Sequence, residues 1–299
     1  MAPTLTILAP THDRPEVLAR IWSSWLRQDG VKEIVIVNDG GTGGYDEVFS
    51  KIASACETQN VTLKVLETPV RLGAPAAKNV GLAKCTCDEI LTTDDDIELP
   101  EGMVARCRAD RPSGDEPVLV GPRVIYLRDG ETHAAALERV KQEAQPFLDM
   151  KKLILCAWAH PGAVTEYPFV TAVALWPNEL FRKGLRFYEG YGGNGYREES
   201  DPQLMAALKF GAKVYLTPDA YCYHLPPGIA YARRGGQRRG GRIWFEYWVL
   251  RNNYLFLKRF SPYLKNSFAI SPAASWLRLA MSRISPKRFL KILGNKSND

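Results

Sequence analysis

The stretch Glu89–Pro100, EILTTDDDIELP, places three consecutive aspartates at the end of a short apolar segment. Like charges repel, so Asp94, Asp95 and Asp96 indicate either an acidic turn in solvent or a cradle for a cation. For an isolated run of three aspartates the acidic turn is the better interpretation. The rest of the sequence therefore has to decide between the two.

The sequence before the aspartates alternates strand-like and helix-like segments. The runs TLTILAP, EIVIV, TLKVLE and EILTT predict four strands, whereas EVLARIWSSWLRQ, a segment from about Tyr45 to Thr58, and APAAKNVGLAK predict helices between them. Repeated βα units of this length predict an α/β fold with a mainly parallel sheet and helices on both faces. Asp13 is expected to cap the first of these helices.

Polar residues follow three of the predicted strands, at Thr11–Asp13, Asn38–Gly40 and Asp94–Asp96. Ligands of parallel sheets bind beyond the carboxyl ends of the strands, so these residues are expected to converge. His224 ends one more predicted strand, AKVYLTPDAYCYH, although a single histidine is more often structural. Together with Asp39, these positions favour a metal–diphosphate site over an acidic turn.

The second half of the chain is less regular. PVLVGPRVIYL and PFVTAVALW predict strands, and ETHAAALERVKQEAQPFLDM predicts a polar helix or a lid. A glycine-rich stretch precedes REESD, and a helix is expected to begin near Asp201 and Pro202. REESD is either an acidic helix terminus or the source of a general base that reaches an acceptor hydroxyl.

The composition limits the class of protein. The chain has 299 residues, 45% of them hydrophobic and 24% charged, which is typical of a soluble globular protein of one large domain or two small ones. No apolar run approaches the roughly 18 residues that cross a bilayer, and no secretory signal is visible. We therefore expect a cytoplasmic protein whose six scattered cysteines are reduced thiols.

The net charge of +6 is unevenly distributed, because RRGGQRRGGR and the last forty or so residues are strongly basic. Such asymmetry indicates a phosphate-bearing ligand, an anionic membrane or nucleic acid. Arg233, Arg234 and Arg238 either close over a diphosphate as a lid or belong to a solvated linker. The aromatic stretch WFEYWVLRNNYLFLKRF is interpreted as a packed helix rather than a nucleic-acid surface.

Five blocks in one order carry a family resemblance: APTHDRPEVLARIWSSWLRQ, EIVIVNDGGT, RLGAPAAKNVGLAKC, EILTTDDDIELP and YREESDPQLMAALKFGAKVYLTPDAYCYH. They resemble the inverting glycosyltransferases of family 2, which have the GT-A fold, over roughly residues 3 to 260. The resemblance implies a Rossmann-like nucleotide-sugar-binding half over residues 1–100 and an acceptor-binding half over 101–260. Residues 261–299 are then a helical extension, a basic amphipathic tail that contacts the inner face of a membrane, the domain body or another subunit.

The resemblance also implies roles for single residues. Contacts with the nucleotide sugar are expected from Pro10, Thr11, Asp13, Asp39, Gly73, Lys78, Asn79, Asp94 and Asp95. Asp94 and Asp96 match the DxD motif, with Asp96 the more direct ligand of Mn²⁺ or Mg²⁺ and His224 completing the metal or diphosphate site. Asp95 is expected to lean toward the sugar or the ribose. Asn38 and Gly41 replace the family's usual aspartate and serine, which leaves UDP, GDP and dTDP open as nucleotides.

Glu199 falls where the family has an aspartate as catalytic base, and Glu198 and Asp201 match the flanking acids. The implied reaction is a single displacement with inversion, in which a divalent metal neutralises the departing nucleoside diphosphate and Glu199 removes the acceptor proton. The implied acceptor is a glycan, a glycolipid or a small molecule.

Two alternatives stay open at the level of the sequence. A sugar nucleotidyltransferase also needs acidic metal ligands, but it would be expected to show a glycine-rich triphosphate loop near the amino terminus, and APTHDRPE has none. A catalytically inactive protein that binds nucleotide sugars or a membrane would keep the same pocket without transfer.

Overall fold

The computed structural model describes residues 3–143, 145–230 and 241–283. The strands within these ranges are β1 (Leu5–Thr11), β2 (Val31–Asn38), β3 (Thr62–Glu67), β4 (Glu89–Thr92), β5 (Ile97–Glu98), β6 (Val118–Tyr126), β7 (Leu148–Asp149), β8 (Ile154–Leu155), β9 (Thr165–Glu166), β10 (Ala174–Pro177) and β11 (Lys213–His224). The helices are α1 (Pro15–Trp25), α2 (Asp46–Thr58), α3 (Ala74–Leu82), α4 (Met103–Ala109), α5 (His133–Gln142), α6 (Asn178–Arg182), α7 (Ser200–Phe210), α8 (Pro227–Ala230), α9 (Gly241–Arg259), α10 (Ser261–Phe268) and α11 (Pro272–Arg283).

Nine of the described strands form one large sheet in the order β3-β2-β1-β4-β10-β6-β11-β5, with β9 paired to β11, and β7 and β8 form a separate two-stranded sheet. The first four strands in this order are mutually parallel, and β6 and β11 are parallel to each other. β10 runs antiparallel to both of its neighbours and joins the two parallel groups. The predicted α/β fold with a mainly parallel sheet is confirmed.

Helices cover both faces of the sheet because successive residues of each strand point in opposite directions. In β1, Ile7 packs into the hydrophobic cluster that contains Trp25 of α1, whereas Leu8 packs into the cluster that contains Ala77 of α3. Both strand residues are fully buried. A strand that is apolar on both faces therefore fits only between two helical layers.

The predicted cap of α1 is wrong. The residue that precedes the helix is Arg14, and it makes no capping hydrogen bond with its side chain. Asp13 has a φ of 52°, in the left-handed region, and its carboxylate accepts a hydrogen bond of 2.9 Å from the amide of Thr42. The chain turns at Asp13, which directs the side chain to the next loop instead of the helix.

The predicted strand PFVTAVALW is shorter than expected, since β10 begins only at Ala174. The side chain of Gln203 in α7 accepts a hydrogen bond of 2.7 Å from the Val170 amide and donates one of 3.3 Å to its carbonyl. An amide side chain thus replaces the neighbouring strand at this point. The residues between Val170 and β10 run along a cleft instead of lying within the sheet.

The carboxyl-terminal helices pack against each other, which confirms the predicted helical extension. Trp276 of α11 donates a hydrogen bond of 3.1 Å to the carbonyl of Leu250 in α9, and Arg283 pairs with Glu246 at 3.1 Å. Because residue numbers rise along α11 as they fall along α9, the two helices are antiparallel. In the described part of the chain, every helix is too short or too polar to cross a membrane.

Candidate functional site

A cleft of about 700 Å³ opens at the carboxyl ends of the parallel strands. The site residues that the sequence predicts and the cleft brings together are Pro10, Thr11, Asp39, Gly73, Asp94, Asp95, Asp96, Glu198, Glu199 and His224. Asp13 is turned toward the Thr42 amide, and Lys78, Asn79 and Asp201 have positions that are described below. The predicted lid residues Arg233, Arg234 and Arg238 lie outside the described residues.

Arg14 provides the counter-charge for the aspartates. Its guanidinium pairs with Asp95 and, at 2.9 Å, with the Oδ2 of Asp96, and it donates a hydrogen bond of 3.3 Å to the carbonyl of Ala230. Burial opposes the charged form, but the carboxylates of Asp95 and Asp96 outweigh it and raise the pKa of Arg14. Arg14 is not among the residues that the sequence predicts. The sequence did contain a sign of its role, because Arg14 is a basic residue close to the end of β1 and the acidic run Asp94–Asp96 needs a positive charge.

The carboxylate of Asp95 is bound by the protein itself, and its predicted contact with the sugar or the ribose stays a prediction. Its side chain is fully buried, one carboxylate oxygen pairs with Arg14, and the other accepts a hydrogen bond of 2.6 Å from the Thr11 hydroxyl. Burial raises the pKa of Asp95, and Arg14 opposes that shift. The middle aspartate therefore fastens the end of β4 to the end of β1, and its neighbours on either side stand at the cleft.

Tyr45 completes this attachment. The Thr11 hydroxyl donates its hydrogen bond to Asp95. The phenol of Tyr45, 2.9 Å from the Thr11 oxygen, therefore donates a hydrogen bond to Thr11. The same phenol oxygen accepts a hydrogen bond of 2.9 Å from the Arg14 amide. Burial raises the pKa of Tyr45 to about 12, so the phenol keeps its proton at neutral pH.

Asp94, Asp96 and His224 are the expected metal ligands. The Nε2 of His224 lies 3.7 Å from the Oδ2 of Asp96, and the Asp94 side chain is about one-third exposed. The Nδ1 of His224 lies 2.7 Å from the carbonyl of Leu225, which accepts its proton, so the neutral ring carries its lone pair on Nε2. Carboxylate oxygens and an imidazole suit Mn²⁺ or Mg²⁺.

The described residues contain no group of three histidine, cysteine or acidic side chains close enough together to hold a metal ion. Arg14 already binds one oxygen of Asp96. The donor set therefore fits a metal that also binds ligand oxygens, such as those of a diphosphate, better than a metal held by the protein alone.

Asp39 shapes the wall of the cleft next to the aspartates. Its carboxylate accepts hydrogen bonds of 2.6 Å from the Leu72 amide and 2.8 Å from the Gly73 amide. Gly73 has a φ of 93°, a conformation that favours glycine, and α3 begins directly after it. Asp39 thus holds the turn that leads into α3, and its predicted contact with a nucleobase stays a prediction.

Lys78 connects the two sides of the cleft from behind. Its side chain is almost fully buried, and its ammonium lies 2.7 Å from the carboxylate of Glu198 and 3.6 Å from that of Asp94. Burial disfavours the charge, but these two acids outweigh it and raise the pKa of Lys78. Asn79 binds the backbone of Phe187 twice, at 2.9 Å in both directions. These side chains support the cleft rather than line it.

Glu198 and Glu199 line the side of the cleft that is formed where α7 begins, whereas the aspartates follow strand β4. Burial raises the pKa of the Glu199 carboxyl, while the positive charges of Lys78 and Arg197 oppose the shift. Burial also raises the pKa of Glu198, against Lys78 and with help from the charge of Glu199. The Oε2 of Glu198 has no hydrogen-bond partner within the described residues. Carboxylates with raised pKa values in a cleft are suited to accept a proton.

The segment that carries Glu199, residues 190–199, is named the base loop here and is held by α9. Arg251 donates to the Gly190 carbonyl at 2.8 Å, Asn252 donates to the Gly192 carbonyl at 2.8 Å, and Arg197 donates to the Oδ1 of Asn253 at 2.9 Å. These contacts explain why α9 buries two adjacent asparagines. In the sequence, the sign of these contacts was a pair of asparagines, Asn252 and Asn253, within an aromatic helical segment.

Two further contacts fix the base loop. Gly193 has a φ of 63°, and a Cβ atom at this position would overlap the indole of Trp248 in α9. Asp201, in the first turn of α7, accepts hydrogen bonds of 2.7 Å from the Tyr191 hydroxyl and 2.7 Å from the Nε of Arg259. Asp201 is buried behind the cleft and joins the loop, α7 and α9.

Comparisons with known proteins agree with this architecture. The family profile described as Glycosyl transferase family 2 matches residues 6–156. A pre-mycofactocin glycosyltransferase of Mycobacterium tuberculosis is 29% identical over 134 residues, which are 45% of this chain and 26% of that protein. The chain thus spans about a quarter of the length of that relative.

Several solved structures share the fold. The mannosyltransferase PcManGT from Pyrobaculum calidifontis, in complex with GDP-Man and Mn²⁺, has a TM-score of 0.58 and 17% identity over 100% of this chain and 76% of its own. GalNAc-T7 with UDP, GalNAc and Mn²⁺ has a TM-score of 0.57 and 16% identity over 89% and 50%. Residues 1–349 of S. aureus TarS with UDP-GlcNAc have a TM-score of 0.55 and 15% identity over 94% and 72%. At these identities the likeness supports the GT-A fold.

Proposed function

The chain belongs to glycosyl transferase family 2, and from that premise we propose that it transfers a sugar from a nucleoside-diphosphate sugar to an acceptor hydroxyl, with inversion at the anomeric carbon. One observation carries the proposal: Asp94, Asp96 and Glu199 line a single cleft. The similar structures with GDP-Man and UDP-GlcNAc support a nucleotide sugar as the donor class.

The donor occupies the aspartate side of the cleft in this proposal. Pro10, Thr11, Asp39 and Gly73 line the wall that would face the nucleoside. The carboxylate of Asp39 is already bound to the turn before α3. Asp39 would therefore form part of the wall beside the nucleoside and would not extend far into the cleft. The diphosphate would lie beside Asp94 and Asp96.

We assign Asp94, Asp96 and His224 as the residues that would hold Mn²⁺ or Mg²⁺ together with the diphosphate. A metal bound there would neutralise the charge that develops on the departing nucleoside diphosphate. Two of the similar structures were solved with Mn²⁺, which supports this assignment. Arg14 keeps Asp95 and Asp96 oriented and supplies one positive charge of its own.

Glu199 acts as the general base. An oxygen of the acceptor forms the new bond to the anomeric carbon, the bond from that carbon to the diphosphate breaks, and the acceptor proton passes to the Glu199 carboxylate. The base loop fixes Glu199, and Lys78 balances the charge of Glu198 behind it. Inversion follows because the acceptor attacks from the side opposite the departing diphosphate.

The proposal is tested first by binding. UDP, GDP and dTDP, with and without their sugars, are added with Mn²⁺ or with EDTA, and the unfolding temperature is measured. We expect one nucleotide to raise it with Mn²⁺ and to raise it less with EDTA, because a ligand of the folded state stabilises it. A chain that responds to no nucleotide contradicts the proposed donor.

The stabilising donor is then incubated with candidate glycans, glycolipids and small hydroxyl compounds. The product's anomeric configuration is read by NMR, and inversion relative to the donor is expected. Retention of configuration would contradict the single displacement but not the donor class.

A further inference from the structure

Exposed apolar side chains concentrate on the carboxyl-terminal helices. Of the eleven large apolar side chains that are exposed in the described residues, five lie between residues 241 and 283. They are Ile243 (80% exposed), Tyr247 (59%), Tyr254 (57%), Leu277 (55%) and Met281 (66%), and together they are named the outer face. Isolated exposed apolar residues need no explanation, but a set of this density on two packed helices does.

The spacing of these residues places them on the solvent side of each helix. Ile243, Tyr247 and Tyr254 are four and seven residues apart in α9, which is the spacing of one helical stripe. Leu277 and Met281 are four residues apart in α11. The opposite side of α9 is buried against the base loop. Because α9 and α11 are packed side by side, the two stripes belong to one part of the surface.

The helices that carry the outer face are rich in positive charge, although Arg251 and Arg259 are bound to the base loop and to Asp201. Residues 241–283 contain seven lysines and arginines and a single acid, Glu246, which is paired with Arg283. The asymmetry extends through the sequence. Residues 231–299 contain 15 basic and two acidic residues, whereas residues 1–230 contain 24 basic and 31 acidic ones. The partner of this end of the molecule must therefore be negatively charged.

The chemistry of the outer-face side chains favours a lipid membrane over nucleic acid as the anionic partner. Nucleic acid would be bound by stacking bases on aromatic rings, but three of the five side chains, those of Ile243, Leu277 and Met281, are aliphatic. Aliphatic residues beside tyrosines and flanking lysines suit the boundary between lipid headgroups and acyl chains, where tyrosine rings also concentrate. Each basic residue near an anionic membrane adds to the electrostatic attraction.

We propose that the outer face docks on an anionic lipid bilayer, with the apolar stripes entering the headgroup region and Lys258 and Arg278 against the lipid phosphates. This inference does not depend on the proposed reaction, since docking needs neither nucleotide nor Glu199. It also differs from the expectation from the sequence, which placed the membrane contact in residues 261–299, because the proposed contact lies on α9 and α11. Residues 284–299 lie outside the described residues.

Docking is tested by flotation of the full-length protein with vesicles of phosphatidylcholine and phosphatidylserine, and with vesicles of phosphatidylcholine alone. We expect binding to the anionic vesicles that weakens as salt is added, because salt screens surface charges. The variant K258Q/R278Q is expected to bind them about tenfold more weakly or worse. The variant I243S/Y247S/Y254S is expected to lose binding as well, because its stripe can no longer enter the headgroup region.

Matched controls separate docking from general effects. K32Q/K209Q removes two exposed charges elsewhere, and V80S/L208S removes exposed apolar side chains from α3 and α7. Both are expected to bind vesicles like the parent protein. Unfolding temperatures that match the parent show that the outer-face variants are folded, and their response to the stabilising nucleotide shows that the donor site is independent.

Three outcomes would overturn the proposal. The first is equal binding to both kinds of vesicle, or binding that the outer-face variants leave unchanged. The second is loss of all binding in K287Q/R288Q/K291Q while the outer-face variants bind normally, which would assign the contact to residues 284–299. The third is a dimer, measured by light scattering, that I243S/Y247S/Y254S dissociates, which would make the outer face a contact between copies of this chain.

Discussion

The two sides of the cleft are positioned by different physical means. On the aspartate side, strand pairing sets the geometry, because Thr11 lies opposite Asn38 in the ladder and Leu8 opposite Thr92. On the side of Glu199, the base loop has no ladder. It is held by side chains of α9 that lie far along the chain, such as Asn252, which is 60 residues from its partner Gly192.

The difference between strand pairing and side-chain contacts predicts which substitutions each side of the cleft tolerates. A ladder of backbone hydrogen bonds survives most side-chain substitutions, so the strands of the aspartate side tolerate change except in the network that Arg14, Asp95 and Thr11 form at their ends. The base loop depends on a small number of side-chain contacts, and each of them can be removed by one substitution. We therefore expect the effects of mutation on the two sides to differ in kind.

The largest expected effect is on transfer by E199Q. Removing a general base lowers turnover by about 10²- to 10⁴-fold, because the acceptor oxygen then attacks with its proton still attached. Stabilisation by the nucleotide is expected to stay unchanged, since Glu199 is not among the residues assigned to the nucleotide or the metal. The exposed residue Glu57 provides the control variant E57Q. Unchanged transfer by E199Q would place the base elsewhere.

Lys78 tests whether the two sides are coupled. In K78M the buried carboxylate of Glu198 loses its partner, and breaking a buried ion pair from one side costs about 3–5 kcal/mol. The free energy of unfolding, measured by urea titration, is expected to fall by that amount. K78M/E198Q should recover part of the loss, because the uncompensated charge is gone. If the double variant is no more stable than K78M, the unpaired carboxylate of Glu198 is not the cause of the lost stability.

Gly193 tests the grip of α9 on the base loop. G193A introduces a Cβ against the Trp248 ring at a φ of 63°, and a non-glycine residue in this region alone costs about 1–3 kcal/mol. We expect kcat to fall more than nucleotide binding does, as Glu199 moves with its loop. Gly184 provides the matched control G184A, because its φ is also positive and no atom lies within 4 Å of its Cβ position. Equal loss of kcat in both variants would contradict a role for Trp248.

The smallest effect at neutral pH is expected from the titration of Glu199. Burial raises the pKa of this carboxyl, and a base acts only when it is ionised. The value of kcat/KM is therefore expected to decline as pH falls through the raised pKa, by about tenfold for each unit below it. Nucleotide binding measured over the same range is the control. An activity decline only in the ordinary range of a glutamate, near 4.3, would contradict the raised pKa of Glu199.

The aspartate side was predictable from the sequence because strands and their ends follow from local patterns. Asp94 and Asp96 reach the cleft as expected, and β3 has the bounds of the quoted run TLKVLE. The burial of Asp95 was not predictable, since it depends on Arg14, a residue from another βα unit. The base loop was found through its acids, whereas its dependence on Trp248 arises from packing between distant segments, and no local pattern encodes that.

The antiparallel strand β10 has a consequence for the order in which the chain assembles during synthesis. β1 to β4 all precede residue 93, so the aspartate side can form early, but the edge of β4 has no neighbour until β10 has left the ribosome. An unpaired edge strand invites pairing with other chains. Glu199 comes later still, because its loop waits for α9. A nascent chain therefore acquires its aspartate side first, keeps the unpaired edge of β4 exposed until β10 is made, and completes the cleft only after α9 has been synthesised.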